Sequence, residues 1–160
     1  MTTLIWSEAL ALQQPRMDTT HREFVDLLSA LDAVLDGDVG PIDDALEHLV
    51  EHTEEHFAQE ERWMAALGFA PENCHAFQHA HVLQVLREVN SIWRNEADLA
   101  VVRQLVGELT KWFPAHAQSM DAALAQTMAE HGFDPESGAV ARPIAADMPR
   151  ITGCGGATCS

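Results

Sequence analysis

The chain has 160 residues, 47% apolar and 21% charged, which suits one compact domain with room for a sizeable core. Asp and Glu total 25 against 9 Lys and Arg, a formal charge of −16. That balance excludes a nucleic-acid or anionic-lipid surface, both of which need a basic patch. Histidine is the outlier, with 9 copies, and tyrosine is absent.

No stretch approaches the roughly 20 apolar residues that span a bilayer. Glu8 interrupts Leu4-Ile5-Trp6 and no positive region precedes it, so no secretory signal is expected. Cys74, Cys154 and Cys159 are too few and too odd in number for a disulfide framework. The expectation is a protein of the reducing cytoplasm, with no nucleic-acid or membrane partner.

Residues 1–17 have no lasting period and are expected to form an N-terminal arm. Asp18-Thr19-Thr20 offers capping side chains for a first helix, followed by Phe24, Leu28, Leu31 and Leu35 at helical spacing. The run from Asp36 to Pro41 ends it. A second helix is predicted over 41–67, with Pro41 in its first turn and Asp43-Asp44 at the positive end of its dipole. Gly68 closes it. A third helix is predicted from about 72 to 95, and a fourth over 97–131, stopped by Gly132 and kinked at Pro114. No alternation suggests a strand. Four long helices with short connections predict an all-α, antiparallel up-down four-helix bundle over 1–133, with any polar site in its core. Residues 134–160, rich in Pro and Gly and carrying Cys154 and Cys159, are expected to be a disordered tail. Its two cysteines are read as incidental thiols, with a disulfide or a soft-metal site as the alternatives.

The histidines fall in order on the helices. His56 and Glu60 are four apart, as are His75 and His79. Such pairs differ by only about 40° around a helix and reach one point. His116 and Asp121 are five apart, about 140° around an α-helix, so they are expected to straddle a wider centre. His21 begins the first helix. Any one of these residues is more often a hydrogen-bonded core or boundary histidine than a ligand. Five imidazoles and two carboxylates at ligand spacing on all four helices are hard to bury otherwise. Imidazole and carboxylate without thiolate suit iron, manganese, cobalt or zinc. Seven donors are too many for one tetrahedral zinc and fit two adjacent ions.

At this point the chain resembles a bacterial hemerythrin. The resemblance is carried by Trp6, Met17 to His21, His56 to Met64, His75 to His79, Trp112 to His116, and Asp121. It implies a di-iron site in the bundle core: two iron ions (Fe2+/Fe3+) with a bridging oxo or hydroxo group. It implies His21, His56, Glu60, His75, His79, His116 and Asp121 as ligands, with Glu60 and Asp121 bridging. His75, His79 and His116 would hold one iron, and His21 and His56 the iron with a free position. An O2 pocket lined by Phe57, Trp112, Phe113 and Ala117 follows. The implied activity is reversible O2 binding rather than enzymatic turnover, for storage, delivery to O2-requiring enzymes or sensing, with an unidentified protein partner. The alternatives are a di-iron peroxidase, oxidase or nitric-oxide-consuming enzyme, or an iron-handling protein. The chain departs from the family at His52, where a tyrosine is common, and at Phe113 and Ala117, where larger aliphatic residues are usual. His52, one turn before His56, is expected to orient a ligand rather than to be one. His48, His81 and His131 are expected to play no part.

Overall fold

In the computed structural model, which describes residues 4–37 and 40–153, five α-helices stack into four rods. Helix α1 (Pro15–Val34) starts earlier than the capping signal at Asp18 suggested. Pro15 takes the first turn, where a missing N–H costs nothing, and the Gln14 side chain accepts from the Met17 N–H at 2.8 Å. Asp18 instead accepts from the Leu12 N–H at 2.7 Å and pins the incoming arm. Helix α2 (Ile42–Ala66) ends at Gly68, whose φ of +84° lets the Phe69 N–H reach back to the Met64 carbonyl at 3.0 Å. Asn73 caps helix α3 (Cys74–Glu96) by accepting from the Ala76 N–H at 2.9 Å. Asp98 caps helix α4 (Leu99–His116) in the same way.

The fourth rod is not one α-helix. A π turn at Ala117–Asp121 separates α4 from α5 (Ala122–His131). Pro114, the expected kink, lies just before it and cannot donate to the preceding turn. The widened turn leaves carbonyls looking for donors. The Ser119 hydroxyl takes up the Ala115 carbonyl at 2.6 Å. Gly132 then stops α5 with φ +57° and a bond from the Phe133 N–H to the Met128 carbonyl at 2.9 Å.

Each rod packs on its neighbours, α1 on α2, α2 on α3, α3 on α4, and α4 back on α1. The apolar side chains divide into two clusters. One holds Phe24, Phe57, Val82, Leu109 and Phe113, and the other Met17, Trp63, Leu124 and Met128. On three of the four rods a candidate donor lies between the two: His21 between Met17 and Phe24, Glu60 between Phe57 and Trp63, Asp121 between Ala117 and Leu124. The fold thus reserves a polar layer between two apolar ones.

Residues 134–153 contain no helix or strand, in keeping with their Pro and Gly content, but they are not detached from the bundle. The Arg142 side chain donates to the Glu130 and Ala129 carbonyls at 2.8 and 3.1 Å, capping α5. Farther on, the Ile151 N–H donates to the Gly68 carbonyl, and the Ala70 and Cys74 N–H groups donate to the Ile151 and Thr152 carbonyls. Composition could not show this, because the partners are the unpaired backbone groups of helix ends. Cys74, to which the sequence assigned no partner, is disulfide-bonded. Cys154 and Cys159 lie outside the described residues.

Removing residues 134–160 should leave the helix content unchanged but uncover Phe69, which is 4% exposed. Losing that burial should cost about 1–3 kcal/mol, or a Tm lower by about 2–12 °C. An unchanged melting curve by circular dichroism would show that the segment adds nothing to the fold.

Candidate metal centre

The seven donors converge in the polar layer, and each is 3% exposed or less. They are brought there by four rods: His21 by α1, His56 and Glu60 by α2, His75 and His79 by α3, His116 and Asp121 by the rod that contains the π turn. The π turn corrects the expected angle between the last two. With five residues in the turn instead of four, Asp121 comes back under His116, and Nε2 of His116 lies 3.1 Å from Asp121 Oδ1.

The two carboxylates face in two directions each. Glu60 presents Oε1 to His56 (2.9 Å) and His21 (3.5 Å), and Oε2 to His75 (3.3 Å) and His79 (3.4 Å). Asp121 presents Oδ2 to His21 (3.1 Å), and Oδ1 to His75 (2.9 Å) and His116 (3.1 Å). Donor atoms within 4.8 Å of one another form two groups. One is His75, His79, His116, Glu60 and Asp121; the other is His21, His56 and Glu60. Several of these buried atoms find no aligned hydrogen bond: His21 Nε2, His75 Nε2, Glu60 Oε2 and both Asp121 oxygens. Polar atoms left so in a packed core are costly unless a cation joins them. The donor set therefore fits a metal pair.

Electrostatics within the cluster point the same way. Burial opposes the charge on His21, but the close approach of the Asp121 and Glu60 carboxylates outweighs it and pushes the imidazole up to about 10. Burial likewise opposes His75, and the same two carboxylates raise it to about 9. Burial pushes His56 and His116 down despite the adjacent carboxylates. Burial would raise both carboxylates, and at Asp121 the charge of Glu60 adds to it. Charge on His56 and the close approach of His21 and His75 hold Glu60 well below its ordinary range, and the charge and close approach of His116 do so at Asp121.

Around the donors, Phe57 stacks on His79 with ring centroids 3.8 Å apart, and Trp112 stacks on His116 at 4.4 Å. Phe113 stands edge-on to His21 at 5.3 Å and stacks on Phe24. Ala117 is fully buried in the π turn. His52 lies outside the cluster: its Nε2 pairs with Glu23 at 3.1 Å, and its ring centroid is 6.0 Å from that of His56. His48 and His81 are exposed, and His131 bonds to the Arg142 carbonyl.

Two features were not legible in the sequence. Gln78 Oε1 accepts from Nδ1 of His116 at 2.9 Å, which leaves Nε2 of that ring for the centre. No local spacing connects residues on different helices. A surface groove lined by Thr20, Glu23, His52, His56, Gln59 and Arg62 also reaches one edge of the cluster.

The family described as the hemerythrin HHE cation-binding domain matches residues 14–127. This chain belongs to the hemerythrin family. Among its relatives, a bacteriohemerythrin of Ralstonia nicotianae is 38% identical over 88% of this chain and 100% of its own length. One from Aquifex aeolicus is 31% identical over 71% of this chain and 88% of its own. One from Pseudomonas paraeruginosa is 29% identical over 86% and 92% respectively. The hemerythrin match spans all seven convergent residues.

Two outcomes are expected of the metal-free protein. At pH 7.5 both His21 and His75 carry protons that a divalent cation must displace, so loading should release roughly two protons per chain. Calorimetry in two buffers of different ionisation enthalpy measures this, and no proton release would contradict the assigned shifts. Gln78→Leu should weaken metal retention about 10- to 100-fold with the fold intact, and Gln78→Glu should restore it. A chelator competition series reads both.

Proposed function

We propose that this chain holds two iron ions and binds O2 reversibly, for storage, delivery or sensing. The observation that supports this reading is the division of each carboxylate between the two groups of histidines. In this reading Glu60 and Asp121 would be shared between the ions and offset their charge, His75, His79 and His116 would hold one, and His21 and His56 would hold the other. The pair, when bound, supplies the electrons that O2 takes up on binding and returns on release. The protein's task is then to keep that exchange from going further. Phe57 and Trp112 cover the three-histidine side by stacking on His79 and His116. Phe113 and Ala117 fill the space between His21 and the π turn and exclude water there. His52 is held away by Glu23, so it orients the approach to His56 without joining the donors. No described helix is long and apolar enough to cross a membrane.

The deciding experiment is anaerobic iron loading followed by optical titration with O2. Two irons per chain and an O2-dependent absorption band that vanishes under vacuum are expected. A single iron per chain, or rapid turnover of peroxide or nitric oxide without a reversible band, would overturn the reading.

Variants sharpen it. Glu60→Ala or Asp121→Ala should remove at least one iron, because breaking a buried, paired charge network typically costs about 3–5 kcal/mol. His48→Ala, His81→Ala and His131→Ala should keep both. His52→Tyr should also keep both irons by elemental analysis, and loss of one would make His52 a ligand.

A further inference from the structure

We propose that Glu61 is a positioning residue for His79: its carboxylate takes the proton on Nδ1 of that imidazole and so keeps Nε2 turned toward the cluster. The inference rests on the reading of the cluster as a metal pair, and not on what the pair binds.

Three observations carry it. The first is the direction of the His79 ring. Its Nε2 lies inside the cluster, 3.4 Å from Glu60 Oε2 and 3.2 Å from Nε2 of His116. Its Nδ1 is on the outer edge, 3.6 Å from Glu61 Oε1. That spacing is a few tenths of an ångström longer than a hydrogen bond. Nδ1 is buried there and has no hydrogen-bond partner among the described residues. A buried N–H in that state is costly, so a nearby acceptor is drawn to it.

The second observation is the freedom of Glu61. Its side chain is 46% exposed, and His79 is its one polar partner among the described residues. It lines an open cleft with Met64, Phe69, Asn73 and Ala76. A small rotation therefore closes the remaining gap without breaking another bond.

The third is what the other contacts on His79 leave undecided. Phe57 stacks on the ring with the two planes 3° apart. Stacking fixes the plane of an imidazole. A half-turn about its Cβ–Cγ bond leaves it in the same plane and puts carbons where the nitrogens now stand. A polar group at the edge of the ring is needed to choose between the two. His116 is held in this way, with Trp112 on its face and Gln78 on its Nδ1. His79 has the charged version of the same arrangement. A carboxylate draws the Nδ1 proton more strongly than an amide oxygen does, and so makes Nε2 the better donor. Nδ1 of His21 and of His56 have no such acceptor among the described residues, so the outer supports belong to the three-histidine group.

Zinc is the probe, because it is diamagnetic and brings no redox chemistry of its own. In the zinc-loaded full chain, nitrogen-15 NMR should show His79 with its proton on Nδ1 and that proton shifted downfield. Glu61→Leu should move the signal upfield and weaken zinc retention about 10- to 100-fold in a chelator competition. Glu61→Gln, which keeps an acceptor without the charge, should bring retention back to within about threefold of wild type and place the signal between the other two. Retention in Glu61→Leu equal to that of wild type would overturn the proposal, as would Glu61→Gln performing no better than Glu61→Leu. So would a zinc-loaded wild-type chain whose His79 carries no proton on Nδ1, a measurement that needs no variant. A wild-type chain that binds no zinc would sink the metal-pair reading itself, and the inference with it.

Discussion

Glu60 and Asp121 are ionised in the middle of an apolar bundle, 1% and 0% exposed. A carboxylate moved from water into such surroundings without compensation loses several kcal/mol of solvation, more than any one hydrogen bond returns. Much else about the polar layer follows from meeting that cost. All four rods must supply a cationic or hydrogen-bonding partner at the same height, and the apolar side chains must withdraw above and below it. The two hydrophobic clusters are the visible result. Removing the imidazoles would leave two like charges facing each other, so the layer stands or falls as a set.

The same charge arithmetic favours the proposed chemistry. Two carboxylates offset only half of the charge on two divalent ions, and the neutral imidazoles offset none. A donor set with more carboxylates would stabilise higher oxidation states and invite chemistry beyond binding. A histidine-rich set would hold bound ions at the lower end of that range. The aromatic rings stacked on His79 and His116 add a second restraint, since they occupy the space from which water would otherwise reach the donors.

The helices and the convergent donors were legible in the sequence because both depend on local spacing. Leu28, Leu31 and Leu35 declare a helix face, and His56 with Glu60 declares a shared direction. Helix ends were less legible. Asp18 looked like a cap, but Pro15 and Gln14 start α1, and Asp18 holds the arm instead. The bond from His116 to Gln78 links two helices and leaves no local trace. The strap was read as disorder from its Pro and Gly content, since composition counts the side chains a segment lacks for a core. It does not count the helix-end carbonyls that Arg142 can cap.

The π turn means that the last long rod is written in two reading frames. Residues up to His116 follow one helical wheel, and those from Ala122 onward follow a second, slipped by one position. A single wheel drawn through 99–131 assigns the second half to the wrong faces. The slip also lets one rod grip a common point from two turns, with His116 above and Asp121 below. Anyone transplanting this donor set into a regular bundle faces a choice. Either the extra residue goes with it, or the aspartate moves one position closer to the histidine, where an ordinary α-helix would bring the two together again.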